Sequence, residues 1–177
     1  MKFEKIHNKG QARLFKNPAL EMLTKAHPLV IWGMYIPIFS FLIYYGSNHY
    51  GLSAKTLILV FLAGAFFWSI FEYLAHRFIF HLVTESKLGK RISYILHGNH
   101  HEYPRDRQRL FMPPVPSIIL ATVVFSIMFL ILGKYAFAFF PGFLIGYLLY
   151  GSMHYAIHAW NPPFKWMKPL WRNHHLH

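Results

Sequence analysis

Four long stretches free of lysine and arginine constrain this chain before any other feature: Leu29–Tyr45, Thr56–Ala75, Val115–Leu132 and Tyr135–Met153. Each approaches the roughly 20 residues that carry a helix across a hydrocarbon core of about 30 Å. Peptide N–H and C=O groups find no water there, so such runs must be helical. A chain of 177 residues that is 55% hydrophobic has too little polar surface to wrap four such helices as a soluble domain. The expectation is therefore an all-α membrane protein with four transmembrane helices. Glu72 is the one acid inside a run, and Pro37 and Pro141 interrupt two others. Neighbouring helices can bury such a charge and re-satisfy such a backbone.

Short joins pair the runs into two hairpins, because Gly46–Lys55 links the first two and Gly133-Lys134 alone links the last two. Of 18 lysines and arginines, six lie in Met1–Pro28, seven in Arg77–Pro114 and three after Met153. By the positive-inside rule, both termini and the long central loop face the cytoplasm. The net charge of +12 is then a basic skirt facing anionic headgroups and needs no nucleic acid to explain it. The first run begins at Leu29 and is long enough to remain as a span, serving as its own insertion signal. Residues 1–28 read as a cytosolic basic segment with a short surface helix in Pro18–Lys25, and residues 29–177 as the four-span domain. Cysteine is absent, which excludes disulfides and thiolate metal sites. Any metal must be held by nitrogen and oxygen.

Nitrogen is plentiful. His76 and His81 (HRFIFH), His97, His100 and His101 (HGNHH), His154 and His158 (HYAIH) and His174 and His177 (HHLH) form four clusters, all on the cytoplasmic side. Residues three or four apart on a helix present neighbouring side chains, a spacing met by His97/His100/His101, His154/His158 and His174/His177. His76 and His81 are five apart, about 140° on an ideal helix, so they need a helix end between them or two metals to serve. Nine imidazoles exceed one ion's three or four ligands and suit two ions sharing a pocket. The fold expectation is thus a pair of hairpins with a cytosolic helical cap, including a helix over Leu88–Leu96, holding a dimetal site.

Around these ligands, Glu72 stands one turn before His76 and could orient its ring. Asp106, among Arg105, Arg107 and Arg109, either joins a loop salt-bridge network or orients a ligand. His175 points about 100° from His174 on a helix and is assigned to the outer shell. His7, His27 and His49 read as solvated or interfacial, and Trp68, Tyr73, Tyr150 and Trp160 as an interfacial belt.

Imidazole suits zinc, copper, iron and nickel alike, so donor type does not name the metal. Apolar helices beneath the site would deliver a lipid chain, whose methylenes offer no leaving group. Oxidation by dioxygen, with a redox metal and external electrons, is the fitting chemistry. A metal-transporting or metal-sensing protein would need ligands deep inside several spans, where only Glu72 is available.

EYLAHRFIFH, ISYILHGNHHEYPRDRQRLFMPPVP, GYLLYGSMHYAIH and RNHHLH together resemble the membrane fatty acid hydroxylase superfamily, from about Phe71 to the end. Within it the likeness is greatest to the catalytic domain of the fatty acid 2-hydroxylases. The resemblance implies two iron ions, replaceable by zinc in purified protein, with O2 as cosubstrate. It implies hydroxylation at C2 of a very long acyl chain, free or in ceramide, with the nine histidines above as ligands. A sterol desaturase or carotenoid hydroxylase would be an alternative within the superfamily. The family pattern ends His-x-x-His-His, whereas this chain stops at His177, and Gly151 stands where relatives carry an acid. The cytochrome b5 domain of eukaryotic relatives is absent, which implies a separate donor, cytochrome b5-like or a ferredoxin with its reductase. That in turn favours a bacterial inner membrane, or the endoplasmic reticulum membrane if the source is eukaryotic.

Overall fold

The computed structural model describes His7, residues 10–80 and residues 84–176, leaving out the side chains of Phe80, Leu96, His97 and His175. Every regular element among the described residues is helical. The short surface helix forms as α1 (Pro18–Met22), with proline in its first turn and the Asn17 side chain accepting from Ala19 N–H. Long helices α2 (Pro28–Asn48) and α3 (Ala54–Ala75) follow, started by His27 Nδ1 and Ser53 Oγ as caps. The central loop holds α4 (Lys87–Ser93) and α5 (Asn99–Glu102), and α6 (Pro114–Leu132), α7 (Ala136–Ala159) and α8 (Lys168–His175) complete the chain.

Among the described residues, three continuous stretches are long and apolar enough to cross a membrane: Pro28–Asn48, Ala54–Ile79 and Arg107–Ala159. The third contains both α6 and α7. Their junction reverses direction at Gly133, whose φ of 54° lies in the left-handed region that glycine enters without a Cβ penalty. Phe129 then meets Phe137, and Phe125 meets Phe140, so α6 and α7 run antiparallel. Outward faces stay apolar, with Leu130 84% exposed and Phe66 69% exposed. Such surfaces match lipid rather than water.

The bundle is organised around α7. Trp32 Nε1 donates to Ser152 Oγ, Tyr35 packs edge-on against Tyr147, and Tyr45 meets Phe137, so α2 is antiparallel to α7. Helix α3 runs parallel to α7 instead. Their closest approach is reciprocal: Gly64 lies against the Phe139 carbonyl, and Gly142 against the Phe61 carbonyl. A Cβ on either glycine would occupy the space of the opposing backbone, so only glycine lets these two main chains touch. Above that crossing Trp68 packs on Gly146, Phe143 and Tyr147. Trp68 is therefore a core residue and not part of an interfacial belt, whereas Trp160 is exposed.

The N-terminal segment is fastened to the central loop. Ala12 N–H donates to Asp106, Ala26 N–H to the Gln108 carbonyl, and Leu14 and Phe15 N–H to Glu21 Oε2. Glu21 and Asp106 both pair with Arg109, whose side chain is 3% exposed. His7 stacks on Tyr103 with ring centroids 4.9 Å apart, and His49 stacks on Tyr45 at the opposite end of the bundle.

Candidate metal centre

Parallel α3 and α7 bring their C-terminal ends to the same end of the bundle, where the central loop and α8 close over them. Two of the local windings there are widened into π turns, His76–Phe80 continuing α3 and Tyr94–Gly98 continuing α4, and the two turns pack on each other. Wide turns of this kind re-aim side chains and cluster at functional sites. The α-helical winding of α3 passes at His76 into the first of these π turns. Asn99 steadies the second turn, its Nδ2 donating to the Tyr94 and Ile95 carbonyls at 3.1 and 2.8 Å. Sequence reading passed over Asn99, although its place inside HGNHH was the available signal.

Four imidazoles converge. One ring nitrogen from each of His100, His154, His158 and His174 lies within 4.8 Å of the other three. Nε2 of His154 stands 3.1 Å from Nε2 of His100, and Nε2 of His158 stands 2.7 Å from Nε2 of His174. The i, i+4 spacing on α7 gives His154 and His158 a common face, and α5 and α8 bring the other two rings across the chain. Burial, and after it the neighbouring imidazoles, hold His100 well below the usual histidine pKa. A neutral ring with its lone pair exposed to the cluster is the form that binds a cation. Four nitrogen donors within reach of one point, with no cysteine anywhere in the chain, fit a first-row transition ion.

His76 lies on the neighbouring turn, with Nδ1 3.7 Å from Glu72 Oε1. His101 sits beside His100, ring centroids 5.7 Å apart, outside the four-nitrogen cluster. His81 and His177, and the side chains of His97 and His175, fall outside the described residues. Glu72 is buried at the end of α3 and interacts with Tyr150 as well as His76. Asp106 takes the loop-network role: it pairs with Arg109 and accepts from Ala12 and Gln108 N–H. Gly151 sits against Phe111, whose ring fills the space a side chain would need.

Three further contacts lie around the cluster. Arg107 Nη2 donates to the Ala159 carbonyl at 3.0 Å, fixing the loop to the residue after His158. Trp171 Nε1 donates to the Trp160 carbonyl at 2.8 Å, docking α8 on the end of α7. Tyr94 OH donates to Glu102 Oε2 at 2.6 Å, and burial followed by this carboxylate pushes its pKa upward.

Comparison with known proteins supplies the family. Residues 61–177 match the family model for fatty acid hydroxylases. The ceramide very long chain fatty acid hydroxylase of Saccharomyces cerevisiae is 35% identical over 97% of this chain and 44% of its own length. A dihydroceramide fatty acyl 2-hydroxylase of Arabidopsis thaliana is 33% identical over 97% of this chain and 73% of its length. The fatty acid 2-hydroxylase of Homo sapiens is 40% identical over 58% of this chain and 28% of its length. A solved structure described as full-length scs7p, with only the hydroxylase domain visible, superposes with a TM-score of 0.85 at 33% identity, covering 96% of this chain and 64% of that one. This chain thus spans less than half of the yeast relative. With four histidines converging where α5, α7 and α8 meet, and with this agreement in sequence and fold, the chain belongs to the fatty acid hydroxylase family.

Proposed function

We propose that this protein is a membrane-bound di-iron fatty acid 2-hydroxylase acting on very long acyl chains of ceramide or as free acids. The observation that carries the reading is the convergence of His100, His154, His158 and His174 at the end of an apolar bundle. Family membership and the hydroxylase relatives support the reaction class. The four described imidazoles would hold one iron. His76, His81, His97, His101 and His177 would supply the second, with Glu72 orienting His76 and His175 in the outer shell. The packing of the His76–Phe80 turn on the Tyr94–Gly98 turn supports a second centre beside the first.

Iron bound there would activate O2, which supplies the oxidising equivalents that zinc cannot. The net change is a C2–H bond replaced by C2–OH, with O2, two electrons and two protons consumed and one water released. Electrons come from an external donor, cytochrome b5-like or a ferredoxin with its reductase. The chain's own packing keeps His100 buried and its ring neutral. In this reading α2, α3, α6 and α7 each cross the bilayer, and the central loop, α8 and both termini form the cytosolic cap. The basic count in those segments supports that orientation.

The test is turnover by iron-reconstituted protein given very long acyl ceramide, a reductant and O2, with the product position read by mass spectrometry. A 2-hydroxyacyl product is expected. Hydroxyl at another carbon, or no oxidised product with both irons loaded, would overturn the assignment.

A further inference from the structure

Away from the histidines, α3 and α6 both pack on α7 and leave a furrow between them. Phe67 and Phe71 of α3 form one wall, Val124, Ile127, Met128, Ile131 and Leu132 of α6 the other, and Phe139 and Phe143 of α7 the floor of an open groove of about 460 Å³. Every lining side chain is apolar. A volume of that size is in the range of a small-molecule site.

Its position is informative. Phe143 and Phe139 precede His154 on the same helix by eleven and fifteen residues, so at 1.5 Å per residue the floor runs from about 16 to about 22 Å below the cluster. With the cluster at the edge of a hydrocarbon core about 30 Å thick, whose half is about 15 Å, this floor lies near and beyond the bilayer midplane. It continues toward the turn at Gly133, at the opposite end of the bundle. From C2 at the metal centre an extended sixteen-carbon chain reaches only about as far as Phe143, whereas a chain of more than about twenty carbons runs on along the floor past Phe139. At its upper rim, Phe71 is followed in sequence by Glu72, the acid that reaches His76.

We infer that this furrow receives the distal methylenes of the substrate's very long acyl chain and so makes chain length a determinant of recognition. The inference rests on the function proposed above, since it takes C2 to lie at the histidines. Several methylenes leaving the disordered bilayer interior for a fitted aromatic and aliphatic wall gain dispersion contacts that a shorter chain cannot make.

Two experiments test it on the full chain in lipid nanodiscs. Hexacosanoyl ceramide carrying a diazirine at its terminal carbon is irradiated and the labelled peptides are sequenced, beside a palmitoyl counterpart. Label on Ile127, Met128, Ile131 or Phe139 from the longer chain alone is expected. Equal labelling by both, as an annular lipid would give, or label confined to the outer face at Leu130, overturns the inference. In the second experiment Met128→Trp and Val124→Trp fill the furrow, and the ratio of kcat/KM for hexacosanoyl over palmitoyl ceramide should fall about tenfold or more. An unchanged ratio counts against it. Wild-type protein that hydroxylates neither ceramide would sink the proposed function, while the labelling pattern still decides the furrow.

Discussion

Nε2 of His158 lies 2.7 Å from Nε2 of His174, although sixteen residues and a change of helix separate them. Two ring nitrogens at that distance share one proton or face one cation. His100 and His154 repeat the relationship at 3.1 Å. The cluster is consequently a site whose occupancy can be measured without turnover.

Replacing His158 or His100 by alanine should remove a donor from a four-nitrogen set and lower bound iron from that site by at least about tenfold. Metal analysis of purified, iron-loaded protein checks this. Full occupancy in either variant would show that the ring is not a ligand.

Glu72→Gln keeps the shape of the side chain but removes the charge beside His76 Nδ1. Loss of such an outer partner typically costs about 10- to 100-fold in metal affinity or activity. Retention of the helical circular dichroism signal with weaker iron binding is expected, and unaltered affinity would assign Glu72 to packing alone.

The Gly64 and Gly142 contacts predict steric sensitivity in the middle of the bundle. Gly142→Leu forces α3 and α7 apart where their backbones touch, at a cost of about 1–3 kcal/mol or more. A lowered unfolding temperature in detergent, with a far smaller change for Gly33→Leu on an open surface, is the comparison to make.

Arg109 is nearly covered and answers both Glu21 and Asp106. Removing one partner of such a buried set leaves a charge uncompensated, and Arg109→Met should destabilise by about 3–5 kcal/mol. Glu21 adds a pH signature. Burial raises its pKa, but hydrogen bonds from Phe15 and Leu14 N–H and the charge of Arg109 outweigh that and hold it below 4.5. A depressed folded-state pKa stabilises above the unfolded value and fades as pH falls through the folded one. The stability gap between wild type and Glu21→Gln should therefore be full at neutral pH and close in acid below 4.5. A gap independent of pH would mean that Glu21 acts through shape rather than charge.

The long helices and the histidine clusters were legible because both are local patterns: apolar runs set span length, and three- or four-residue spacing sets a common face. What lay beyond sequence was pairing at a distance. Nothing in Gly64 or Gly142 alone says that each meets the other helix's carbonyl, and Trp68 looks interfacial until Gly146 is known to lie beneath it. The ion pair between Glu21 and Arg109 joins segments far apart in the chain, so Asp106 could be narrowed only to two roles. The π turns were hidden for another reason: they require hydrogen bonds to shift by one residue, which Asn99 supports from its side chain.

The parallel course of α3 and α7 has an electrostatic consequence. Each helix carries about half a negative elementary charge at its C-terminal end, and both of those ends point toward the histidines. Neutral imidazoles bring no charge to balance a dication, and the cluster of four contains no carboxylate. Backbone dipoles from two spans supply part of that missing countercharge, so the direction in which the chain threads the bundle itself favours a cation at that end.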